Sequence, residues 1–261
     1  MRTSTLITSY IQAAIFAALA LRCYLAWSRE RERRSFHLTW AAGLFATTSL
    51  LGAITNTVYD ATKGQTAPRW ESIASGIITF LAIYAFLIFL SDFIRFPRWV
   101  GVLVTVATGV NVVLTVIERP DIRFDAHTFQ IVAIPGVHNP IAYRTYLGYV
   151  LVYFAVALGV LAVSFLAYAM KTSGLARMRM FSIGSGFALL CVVVGLLPRL
   201  LFGHPSAQTI LHLLNVAQYV ALVSGPLLLV GFAPPRFVRE RFQKLESLRD
   251  GPKEASGAPA V

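Results

Sequence analysis

The chain has 261 residues, of which 56% are hydrophobic and 13% are charged, with a formal net charge of +11. A soluble domain carries roughly 25% charged residues, so this balance excludes an ordinary water-soluble fold and points to lipid as the solvent. The basic excess does not indicate a nucleic-acid partner, because the Lys and Arg residues stand in short turns between long apolar runs.

A helix needs about 20 mainly apolar residues to cross a bilayer, and seven runs meet that requirement. They lie near 6–27, 36–58, 72–91, 98–117, 143–169, 180–201 and 208–232. Runs this long exclude a transmembrane barrel, whose strands alternate over about ten residues. The expected fold is an all-α membrane protein: a seven-transmembrane-helix bundle over 1–233, an amphipathic juxtamembrane helix over 234–250 and a disordered tail over 251–261.

The first run is too long for a secretory signal and its basic cluster follows it, so it is expected to be retained as a helix. The turns SRERERRSF, SDFIRFPRW and KTSGLARMRM, together with Arg22 and the segment after the last run, put 16 of the 23 Lys and Arg on one side. The positive-inside rule then sets the N-terminus outside and the C-terminus inside, in a bacterial cytoplasmic membrane. In the second turn Pro97 opens a helix and Trp99 stands at interface depth. Cys23 and Cys191 are expected to pack rather than to form a disulfide.

The longest outer connection is IERPDIRFDAHTFQIVAIPGVHNPIA, within which FQIVAI reads as a short strand or a segment lying on the surface. Asp121, Asp125, His127, His138 and, in the next outer loop, His204 make this the candidate ligand-facing surface. Imidazole and carboxylate can bind zinc, but no HExxH, no CxxC and no helical histidine pair is present, so no metal and no cofactor is expected.

Within the apolar runs the polar residues are few: Asn56, Asn111, His212, Asn215 and Gln218, with Arg199 at the outer end of the sixth run. Intramembrane polar side chains turn toward other helices or a cavity. These six residues are the candidate polar or ligand pocket, with His212, Asn215 and Tyr219 on one helical face. FSIGSGF carries Gly184 and Gly186, which permit close helix approach, and Pro226 is expected to bend or loosen the seventh helix. The last helix has no lysine for a retinal Schiff base. All 12 acidic residues lie near or beyond helix ends, which argues against a proton pump. No nucleophile, base and carboxylate constellation is legible, so no catalytic residue is assigned.

The chain leaves the last run through GFAPPRFVRERFQKLE. Pro234 and Pro235 end one helix and can start the next. Val238, Phe242 and Leu245 then form an apolar stripe among Arg239, Arg241 and Lys244, suited to an anionic lipid surface or to a partner helix. The turn LARMRMFSIGSGFALL and this exit resemble the N-terminal seven-helix sensor region of bacterial histidine kinases and related signalling proteins. The resemblance implies a membrane sensor that detects an unknown small ligand or intramembrane signal. It would pass that signal through the exit helix to a cytoplasmic signalling protein, an orphan kinase or regulator, with membrane lipid as the other partner. The sequence is expected to lack an output module of its own. A small transporter or channel using the polar face of the seventh helix is the alternative, and an intramembrane lipid-modifying enzyme stands third.

Overall fold

The structure is a computed structural model, and it describes residues 2–61, 69–118, 121–125, 130–134, 140–202 and 207–249. Eight helices are described: α1 Arg2–Glu30, α2 Arg33–Ala61, α3 Arg69–Ser91, α4 Arg98–Glu118, α5 Pro140–Met170, α6 Gly174–Phe202, α7 Ala207–Phe232 and α8 Arg236–Arg249. One antiparallel hairpin interrupts them, β1 Asp121–Asp125 with β2 Gln130–Ile134, in a register that pairs Arg123 with Val132. The short strand expected within FQIVAI is therefore present as β2.

Each expected apolar run lies inside one of α1 to α7, and the helices extend past the runs into polar residues. α1, at 29 residues, is ~43 Å long at about 1.5 Å per residue, which matches a bilayer with its headgroup layers. Among the described residues six helices are long and apolar enough to cross a membrane; a seventh span results if α7 and α8 count as one bent unit. The chain is thus a multi-pass, all-α protein built for a bilayer.

Local chemistry explains the breaks. Arg31 ends α1 in the left-handed region, φ 52°, and its amide donates to the Trp27 carbonyl at 2.8 Å, closing the last turn as a C-cap does. Pro97 sits just before α4, where its missing N–H costs nothing. α7 runs through Pro226 without a break, and the sharp turn falls instead after Phe232, where the axes of α7 and α8 differ by 57°.

Helix α1 packs on α2 and α2 on α3, while α5 packs on α6, α6 on α7, and α7 closes back onto α1. α4 is attached through α3 and α5. The core is aromatic, with Phe16, Phe86, Phe89, Phe165, Phe187 and Phe232 all buried in one cluster. In lipid, packing of this kind rather than transfer out of water holds helices together.

The helix ends meet at a single end of the bundle. His37 near the start of α2 bonds Asp92 just past α3, and Arg22 of α1 and Arg179 of α6 both reach the end of α7. The exposed side chains of Arg29, Arg34, Arg95, Lys171, Arg177 and Arg239 belong to the turns and helix there, and we call it the basic end.

Candidate functional site

The junction between α7 and α8 follows from two prolines. In a continuous helix the amide of residue 235 would donate to the carbonyl of residue 231, but Pro235 has no N–H. The Gly231 carbonyl, buried near a helix end, therefore needs another donor. Arg179 supplies it: Nε donates to the Gly231 oxygen at 3.0 Å and Nη2 to the Phe232 oxygen at 3.2 Å. Arg22 Nη1 donates to the next carbonyl, that of Ala233, at 2.9 Å. Two cations from different helices thus hold three consecutive carbonyls at the negative end of α7, where the helix dipole favours positive charge.

The contact is close because Gly231 has no side chain. A Cβ there would stand 2.5 Å from Ile183 Cγ1 and 2.9 Å from the Arg179 main-chain oxygen, so α6 and α7 touch backbone to backbone. Along α6, Gly184 faces Leu166 of α5 and Gly186 faces Leu228 of α7, each with no room for a Cβ. The two glycines of FSIGSGF serve tight packing on two different neighbours. Beside them Phe232 packs against Phe89 at 5.6 Å, Phe86 at 5.9 Å, and Phe165 and Phe187 at 6.4 Å. The last turn of α7 is therefore wedged among α3, α5 and α6 and pinned by α1 and α6.

Beyond it the amides of Val238 and Arg239 both donate to the Pro235 carbonyl, so Pro235 opens α8. α8 contacts α6, and Val238 and Phe242 of the predicted stripe are half-buried. Pro234 is buried and Pro235 half-buried; the Leu245 side chain lies outside the described residues.

A second polar feature runs along α4, which is turned inside out relative to a soluble helix. Val102, Val106, Val113 and Ile117 are exposed while Thr108, Asn111 and Thr115 are buried. A lipid surround makes that arrangement favourable. Thr108 Oγ1 and Tyr153 Oη are 2.8 Å apart, as are Thr115 Oγ1 and Tyr146 Oη. Each threonine hydroxyl also donates to a carbonyl of its own helix, Val104 or Asn111, which leaves the tyrosines as the donors across the α4–α5 seam. Asn111, between the two pairs, donates through Nδ2 to the Ala107 carbonyl at 2.9 Å, and its Oδ1 is buried without a partner.

Of the candidate pocket residues, Asn111 is the one whose side chain is described, and it is buried. The side chains of Asn56, Arg199, His212, Asn215 and Gln218 lie outside the described residues, as do those of Asp121 and Asp125 in β1. His127, His138 and His204 fall wholly outside them. Tyr219 is 62% exposed and points away from the bundle, so it does not extend an inward polar face on α7. Cys23 is buried and Cys191 half-buried, as packing residues would be.

The arginine-held junction and the threonine–tyrosine seam were not anticipated from sequence. The signals were present: Thr108, Asn111 and Thr115 recur at spacings of three and four, as do Tyr146, Tyr149 and Tyr153 on α5. Arg22 and Arg179 stood at the edges of apolar runs, where they read simply as orientation charges. No family model, no curated protein and no solved structure matches this chain.

Proposed function

We propose that this protein is a multi-pass membrane sensor that detects an extracytoplasmic or intramembrane signal and passes it through α8 to a cytoplasmic partner protein. In this reading the basic end faces the cytoplasm and the N-terminus lies outside, as the basic turns favour. The observation that carries it is the junction at Gly231, Phe232 and Ala233. Their carbonyls are held by Arg179 and Arg22, so a shift of α1 or α6 is felt directly where α7 hands over to α8. Small helix displacements of 1–2 Å are a common signalling motion, and a hydrogen-bonded backbone junction converts them into a new direction for the following helix.

The reading is tested by placing a photo-crosslinking residue at Arg177, exposed at the basic end, and comparing the full chain with one lacking residues 236–250. A discrete cytoplasmic adduct is expected with the full chain, and the deletion should remove capture through the basic end while the bundle stays inserted. Capture that survives the deletion unchanged would refute signalling through α8.

A further inference from the structure

The outer face of α8 is separate from the stripe that the sequence emphasised. Val238 and Phe242 turn toward the bundle and are half-buried. Phe237 is 69% exposed, and Arg241 and Lys244, four and seven residues on, stand exposed on the same side of the helix. An aromatic ring flanked by two cations on an outward face suits neither bulk water nor hydrocarbon. It suits the boundary between them, where a ring enters the acyl region and long basic side chains reach phosphate.

The same pairing recurs elsewhere at the basic end. Trp99, at the start of α4, is 66% exposed beside exposed Arg98; Met170, at the end of α5, is 77% exposed beside exposed Lys171. Phe237, Trp99 and Met170 thus each stand exposed near a cation, on three different elements of the basic end. Glu240 is exposed three residues after Phe237 on this face, and across the basic end exposed Arg and Lys outnumber exposed Glu among the described side chains. The 57° turn after Phe232 directs α8 off the axis of α7.

We propose that the basic end is a docking face for anionic phospholipid headgroups, on which α8 lies with Phe237 inserted between them and Arg241 and Lys244 bound to their phosphates. This assignment concerns what α8 touches in the membrane and stands whether or not a signalling partner exists. It also holds for either orientation of the bundle. Each cation near an anionic surface favours the docked helix about fivefold, and the attraction falls as salt shortens the Debye length from about 10 Å toward 3 Å.

The test uses the whole protein in bilayers of neutral phosphatidylcholine and in bilayers containing phosphatidylglycerol. Amide hydrogen exchange over 236–244 in the unaltered chain should slow in the anionic bilayer and recover in high salt. A nitroxide at Phe237→Cys, in a Cys23→Ala, Cys191→Ala background, should move to greater depth in anionic lipid, and Arg241→Gln with Lys244→Gln should undo both effects. Equal exchange and equal depth in the two lipids would overturn the proposal. So would protection that appears only when a soluble protein is added, which would make the face a protein interface instead.

Discussion

Arg179 donates through Nη2 to the main-chain oxygen of Phe232 across 3.2 Å, tying α6 to the final residue of α7. Its Nε bond to Gly231 makes the contact a two-pronged one, from two separate nitrogens of a planar guanidinium, whose geometry a single ammonium nitrogen does not reproduce. Arg179→Gln retains at most part of this pattern and leaves a buried carbonyl without its donor. Hydrogen bonds from a charged group contribute about 1.5–3 kcal/mol each in favourable cases, and a half-buried pair in a membrane protein sits at or below the lower bound. The variant is expected to lose about 1–2 kcal/mol of stability in reversible unfolding from mixed micelles. Arg179→Lys should fall between it and the unaltered protein.

Gly231 offers a sharper test, because its neighbours include backbone. The 2.9 Å separation of a Cβ from the Arg179 oxygen cannot be relieved by rotating a side chain. Gly231→Ala must therefore push α7 away from α6 and weaken the Arg179 bonds, at an expected cost of about 2 kcal/mol or more. Gly109, on the exposed side of α4, has nothing within 4 Å of a Cβ. Gly109→Ala should be neutral or mildly stabilising, by at most about 1 kcal/mol. Equal effects at the two sites would mean that α6 and α7 do not meet as closely as the structure has them.

Much of the architecture was legible because lipid imposes long apolar runs, and prolines and basic turns punctuate them. The strand within FQIVAI and the exit at Pro234 and Pro235 were legible for similar local reasons. The functional geometry was not, since it depends on which helix faces which. A threonine in an apolar run satisfies itself by bonding a carbonyl one turn back, and sequence alone cannot say that a tyrosine from α5 also finds Thr108. Arg22 and Ala233 are far apart in the chain, and their meeting at the basic end follows from the packing of α7 back onto α1. The two proline sites also differ: α7 continues through Pro226, while the double proline after Ala233 ends it and leaves the Gly231 carbonyl to Arg179.

The seam between α4 and α5 predicts opposite signs at adjacent positions. Tyr153→Phe removes the donor to Thr108, and Tyr146→Phe the donor to Thr115. Each should destabilise by about 0.6 kcal/mol, up to ~1.7, the range for interhelical bonds in membranes. Asn111→Leu instead removes an acceptor that is buried without a partner. Relief of that cost, about 1–3 kcal/mol, offsets the strain of a slightly larger side chain. The variant should unfold at the same denaturant concentration as the unaltered protein or a higher one. A clear loss of stability would show that Asn111 Oδ1 has a donor in the membrane.

The turn at Pro234 and Pro235 predicts a change of direction rather than of stability. Replacing both with Ala restores the two missing amides, so the carbonyls of Val230 and Gly231 regain helical donors. Arg179 then competes with the backbone for Gly231, and α7 can continue straight into α8. Spin labels at Val223 and Lys244, both exposed, report the angle between the helices. The distance between them should lengthen in the Pro234→Ala, Pro235→Ala variant as the 57° bend opens. In the Arg179→Gln background the lengthening should be greater, because the last competitor for the Gly231 carbonyl is gone. An unchanged distance in both would mean that the aromatic packing of Phe232, rather than the prolines, sets the direction of α8.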